Sequence, residues 1–190
     1  MPFRLLSAEE MLEGICYARL PIFACGKLYK RYLVEQFPYP KGELYEDTAT
    51  THKIIGAIDK VAYGTQKIYY WRQRSGSITH SVITERHYYG ITASINQLNY
   101  MKEHYPKVVP AAKVRCVMKI IDLTYRLVVG KMDRALFDRM RNAMLPLYAS
   151  VVKNKKVSIS LRVRTIALRC GYIPYVLLSK IYSVVKKNAK

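Results

Sequence analysis

Glu46 and Asp47 stand side by side in GELYEDTATTHK (residues 42–53), just ahead of a helical pattern, in a chain with 32 basic and only 13 acidic residues. Two uses of such a pair compete. Asp is a favoured helix N-cap, and acids in a first turn interact well with the helix dipole, at about 0.5–2 kcal/mol for the cap. A carboxylate within hydrogen-bond reach of a substrate hydroxyl is also a general base. Amide donors to Asp47 would favour its ionised form and weaken it as a base, a conflict that disappears if Thr48 caps the helix instead. Further on, Arg72, Gln73 and Arg74 can present forked donors to a diphosphate, placing fixed positive charge where a leaving group becomes more negative. Strand arginines are otherwise solvated faces.

Local patterns define the elements that must position these groups. Ser7 followed by Glu10 is a capping box opening a helix to about Arg19, which Pro21 ends. A second short helical stretch, about Gly26 to Gln36, stops at FPYPKG, and a helix from about Thr48 to Ala57 follows the acidic pair. VAYG and KIYYWRQ read as two short strands joined by Gly64 to Gln66, with Arg72 and Arg74 on one face and Trp71 and Gln73 on the other. From Tyr88 the period changes to three or four, predicting helices to Tyr105, then over about Ala111–Val129 and Asp133–Ser150. The last forty residues read as basic amphipathic helices interrupted at Gly171 and Pro174. The fold class is therefore α+β and mostly helical.

Composition narrows the setting. Net charge is +19, and every charged residue after Asp138 is Lys or Arg, so the C-terminal region must face a polyanion: nucleic acid or the anionic leaflet of a membrane. Seventeen tyrosines suit half-buried positions and stacking on sugars or bases. Cys16, Cys25, Cys116 and Cys170 have neither Cys-x-x-Cys nor zinc-ligand spacing and read as reduced core thiols of a cytosolic protein. MPFRLLSAEEMLEG lacks the apolar run of a signal peptide, and the uncharged run Cys170 to Ser179 contains Pro174 and falls short of the ~20 residues of a membrane span. A soluble or surface-lying protein is expected.

Taken in order, AxGKLYKRYL, FPYPKGELYEDTATTHKII and KVAYGTQKIYYWRQRSGSIT resemble the C-terminal, acceptor-side half of family 2 glycosyltransferases of the GT-A fold, over roughly Ala24 to Thr79. The most specific elements are Gly-x-x-Tyr-Glu-Asp with its following threonines and Tyr-Tyr-x-Arg-Gln-Arg-x-Gly-Ser-Ile. The resemblance implies that Asp47 removes the proton of an acceptor hydroxyl attacking the anomeric carbon of a nucleotide sugar, with inversion, and that Glu46 orients or contacts the acceptor. It assigns Arg74, then Arg72 and Gln73, to the donor diphosphate. Trp71 would floor an acceptor sugar, unless it is core, and Lys27 and Tyr29 would line the acceptor cleft, unless they only pack a helix. A His from this loop ligates a metal in some GT-A enzymes, which offers His80 that role against that of an ordinary surface imidazole.

The same resemblance implies a divalent metal, Mg or Mn, in the complete enzyme, together with an N-terminal doubly wound half that holds the nucleotide. The chain has no Asp-x-Asp, no opening strand rich in Val and Ile and no glycine-rich phosphate loop. The expected organisation is thus residues 1–85 as part of a GT-A domain and 86–190 as a helical region with a basic tail, in a chain that is either truncated or incompletely delimited, or else one part of a split enzyme partnered by a separate nucleotide-binding half. Expected ligands are a nucleotide-sugar donor and a saccharide or lipid-linked acceptor in envelope polysaccharide or glycoconjugate synthesis. SLRVRTIALRCGYIPYVLLSKIYSVVKK intersperses cations with long apolar side chains as an interfacial helix would, which places the chain in the cytoplasm at the inner face of an anionic membrane. The competing class is a noncatalytic basic module that binds nucleic acid or anionic membrane through charge and tyrosine stacking.

Overall fold

The capping box at Ser7 is formed as expected and opens helix α1 (Ala8–Cys16): the Glu10 amide donates to Ser7 Oγ at 3.2 Å, and the Ser7 amide donates to Glu10 Oε2 at 2.8 Å. The structure is a computed structural model that describes residues 3–72 and 81–188. Ahead of the cap, Phe3–Ser7 is strand β1, which pairs antiparallel with β2 (Lys60–Gly64), Phe3 opposite Gly64 and Ser7 opposite Lys60. The expected hairpin of VAYG with KIYYWRQ is therefore corrected. VAYG takes β1 as its partner, with register held by the Ala8 amide donating to the Asp59 carbonyl at 3.1 Å. Residues 65–72 carry no strand pairing, and Ile68, Tyr69, Tyr70 and Trp71 are all exposed, so their apolar alternation buries no face.

Helix α2 (Arg31–Gln36) starts later than the expected Gly26, and α3 (Glu46–Gly56) starts two residues earlier than the expected Thr48. The helical periodicity further on yields α4 (Tyr89–His104) and α5 (Val109–Val129). The helix expected over 133–150 is divided into α6 (Arg134–Met144), a 3-10 turn at Leu145–Leu147 and α7 (Tyr148–Val152), because Pro146 has no amide to continue an α-helical ladder. Then come α8 (Ile159–Cys170) and α9 (Tyr172–Asn188). Gly171, at φ 116°, makes the break between them in a backbone region that L side chains avoid. Pro174 does not interrupt: it occupies the first turn of α9, where its missing amide would have had no intrahelical partner.

Two apolar clusters meet along α5. On one side Ala111, Ala112 and Cys116 pack with Leu12 and Ile15 of α1, Ile55 of α3, and Leu98 and Met101 of α4. On the other Val117, Ile120, Ile121 and Leu127 pack with Phe137 and Met140 of α6 and Tyr175 of α9. Apolar packing thus runs across residue 85 without a break. All four cysteines are free, but only Cys16 and Cys116 lie in the core; Cys25 and Cys170 are exposed, which corrects the expectation that all four are core thiols. Among the described residues no helix is long and apolar enough to cross a membrane.

Candidate functional site around the first turn of α3

Neither Asp47 nor Thr48 caps α3. The N-cap is Tyr45, whose backbone is left-handed (φ 63°, ψ 35°) and whose side chain makes no capping bond. A non-glycine residue held there costs about 1–3 kcal/mol and persists only where its surroundings fix it. They do so here. Lys119 Nζ of α5 lies 4.2 Å from the centre of the Tyr45 ring, and the His87 ring meets it edge-on at 6.4 Å. Gly90 of α4 makes room for it, since a Cβ at that position would lie 2.6 Å from Tyr45 Cδ2. Burial raises the pKa of the Tyr45 phenol, which therefore stays protonated.

Tyr45 in this conformation turns the chain so that Glu46 and Asp47 form the first turn of α3, where carboxylates meet the positive end of the helix dipole. Asp47 Oδ1 accepts from the Thr48 amide at 2.6 Å and from Thr48 Oγ1 at 3.2 Å. Oδ2 has no hydrogen bond to a described residue. Glu46 is exposed.

Lys27 and Tyr29 arrive from the loop before α2. The Lys27 ammonium donates to the Phe23 carbonyl; partial burial lowers its pKa, and the Asp47 carboxylate acts on it in the opposite sense. Tyr29 shares a hydrogen bond with Tyr39 at 3.1 Å, and Tyr39 shares another with Thr51 of α3 at 3.1 Å, which ties the proline-rich loop to the helix. Thr50 Oγ1 adds a bond to the Pro38 carbonyl at 3.4 Å. Trp71 stacks on Phe23, ring centres 6.4 Å apart, while remaining 59% exposed. Trp71 is thus not core: it flanks the residue whose carbonyl holds Lys27. One step behind, His52 Nδ1 donates to the Thr48 carbonyl at 3.0 Å and its ring meets Tyr100 at 5.1 Å. Burial pushes the His52 pKa down to about 4, so it is neutral.

Of the residues proposed from sequence, Asp47, Lys27 and Tyr29 gather around the start of α3, with Trp71 adjoining through Phe23. Arg72 is exposed and has no polar partner among the described residues. Gln73, Arg74 and His80 lie outside the described residues. Sequence reading missed the α5 contribution. Arg115, Lys119, Asp122 and Arg126 recur at i, i+4, i+7 and i+11, a charged stripe along α5 that was the available signal.

The described residues do not by themselves fit the divalent metal implied by the family resemblance, and His80, the ligand it offered, lies outside them. Among the described residues no group of three His, Cys, Asp or Glu is placed to hold an ion. Comparison with family models, curated proteins and solved structures yields no match.

Proposed function

We propose that the chain is the acceptor-side part of an inverting, family 2-like glycosyltransferase that works with a nucleotide-binding half. The observation that carries the reading is that three separated segments meet at the start of α3: Lys27 lies in the field of the Asp47 carboxylate, Tyr29 is tied to α3 through Tyr39, and Trp71 stacks on Phe23, whose carbonyl holds Lys27. In the reaction, Asp47 Oδ2 takes the proton of an acceptor hydroxyl as that oxygen bonds to the anomeric carbon. The bond from that carbon to the diphosphate oxygen breaks, and the nucleoside diphosphate leaves with the electron pair. A base so placed contributes about 10²–10⁴ in rate. The acceptor saccharide lies on the exposed face of Trp71, and the guanidinium groups of Arg72 and Arg74 meet the diphosphate.

The tail sets the location. Ile159, Val163 and Ile166 on α8, and Ile173, Leu177, Ile181 and Val184 on α9, are all exposed at helical spacing on elements whose only charges are cationic. An anionic bilayer complements both features, and we assign this face to the inner leaflet. A lipid-linked or nascent surface glycan is the acceptor that such a placement suits.

The exposed row Tyr69, Tyr70 and Trp71 next to Arg72 supports a second reading, a nucleic-acid module that stacks bases on these rings. One substitution separates the two. With the nucleotide-binding half supplied, Asp47→Asn lowers transfer by about 10²-fold or more while the circular dichroism spectrum and melting temperature are kept. Transfer undiminished in that variant, alongside salt-sensitive binding of single-stranded nucleic acid, would establish the second reading instead.

A further inference from the structure

Half-buried arginines of this protein find acceptors. Arg126 donates to the Ser81 carbonyl, Arg141 to those of Leu168 and Arg169, Arg162 to that of Asn154 and Arg164 to that of Ile121. Arg115 does not. Its Nε is fully buried without a partner, and no hydrogen bond or ion pair among the described residues uses its guanidinium. Lys119, one turn along the same face of α5, likewise has no hydrogen bond or ion pair among the described residues; its one named contact is the Tyr45 ring, which covers a single side of the ammonium. Both residues are half-buried, so their charges lack a partner among the described residues and remain within reach of a dissolved anion. The nearby thiols of Cys16 and Cys116 do not supply one, because burial pushes both up to about 12 and keeps them neutral. Asp47 and Asp122 act on Lys119 through their charge only, and Arg115 and Arg126 oppose them; with burial as the largest effect, the Lys119 pKa falls to about 8.

Residues four apart on a helix hold their Cβ atoms about 6 Å apart, a gap that one phosphate group bridges, with the planar fork of Arg on one side and the ammonium on the other. We infer that Arg115 and Lys119 form a binding site for a phosphate group carried by the acceptor saccharide, beside Asp47. The inference rests on the glycosyltransferase reading for the word acceptor and on the α5 geometry for the site. The phosphate contributes both charge and position: fixed on α5, it would hold the sugar that bears it against the first turn of α3, with a hydroxyl facing Asp47 Oδ2.

The test uses the full chain at low salt and titrates three probes by calorimetry: inorganic phosphate, glucose 1-phosphate and glucose. In parallel, reductive methylation of Lys119 is followed by mass spectrometry. The expected result is saturable binding of the two phosphates and none of glucose, phosphate protection of Lys119 from methylation, and affinity lower by about tenfold or more in Arg115→Met and Lys119→Met. Lys119→Arg, which keeps the charge, retains binding, and so does Asp47→Asn. Glucose 1-phosphate binding tighter than inorganic phosphate marks a sugar-borne group; equal affinities would mark a site for the free ion and overturn the acceptor assignment. Phosphate affinity unchanged in both Met variants, or an unprotected Lys119 at saturating phosphate in the unaltered chain, would overturn the site itself. The two readings fail separately. Protection of Lys119 without any sugar transfer sinks the enzyme reading and leaves the site, and transfer with an unprotected Lys119 does the reverse.

Discussion

His52 is a residue whose burial has a measurable consequence. Its pKa in the folded chain, about 4, lies below the ordinary 6.5, so the unfolded chain binds a proton at pH values where the folded chain does not. Its contribution to stability is complete above about pH 6.5 and is lost as the pH falls toward 4, by about 3 kcal/mol at 1.36 kcal/mol per unit. Urea denaturation across that window should show the decline, and His52→Gln should flatten it; an equal decline in the variant would assign it to other groups. At this scale the sequence was informative where chemistry is local. Ser7 and Glu10 declare their capping box three residues apart, and the Glu46–Asp47 pair announces the start of α3. The sequence did not disclose that Tyr45, rather than Asp47 or Thr48, is the N-cap. That left-handed turn is stabilised by Lys119 and Gly90, residues far along the chain, and local propensity argues against it.

Among the elements, α9 is fastened by one side chain more than any other. Tyr175 is fully buried, packs its ring against Phe137 at 5.9 Å and donates its hydroxyl to the Ile121 carbonyl at 3.0 Å. Tyr175→Ala should cost about 3–5 kcal/mol and Tyr175→Phe about 1 kcal/mol, with amide exchange in α9 accelerated in the former before that in α4 or α5. Exchange that speeds up uniformly would mean that α9 unfolds only with the whole chain. Long amphipathic helices such as α4 and α5 were legible because a period of three or four apolar positions survives any choice of packing partner. The pairing of β1 with β2 was not. FRLL and VAYG are each too short to announce a partner, and the alternation in KIYYWRQ mimicked one although Ile68 to Trp71 are exposed and carry no strand pairing. The Arg115–Lys119 stripe was hidden for a related reason, since periodicity treats a charged face as solvent-facing, and only the packing of Lys119 against the Tyr45 ring half-buries it.

For the molecule as a whole, a net charge of +19 and the outward apolar faces of α8 and α9 predict a surface-bound protein. The chain should cosediment with vesicles containing anionic lipid and not with neutral ones. Leu177→Glu combined with Ile181→Glu should abolish the binding at low salt, where charge attraction alone is strongest. Binding that survives both acids would reduce the attraction to electrostatics and remove any role for the apolar faces. The organisation of the tail was legible in the sequence as basic and amphipathic, but where it docks was not, because its anchor is a backbone carbonyl in α5. That anchor has a spatial consequence. Ile121, which receives Tyr175 and, at 3.4 Å, Arg164, stands two residues from Lys119 within a single uninterrupted helix of about 31 Å. The carbonyl that anchors α9 and the ammonium beside the Tyr45 ring therefore move as one rigid element. If the tail rests on a bilayer as proposed, the first turn of α3 would stand at a fixed height above it, and a glycosyltransferase built this way would reach only acceptor ends at that height.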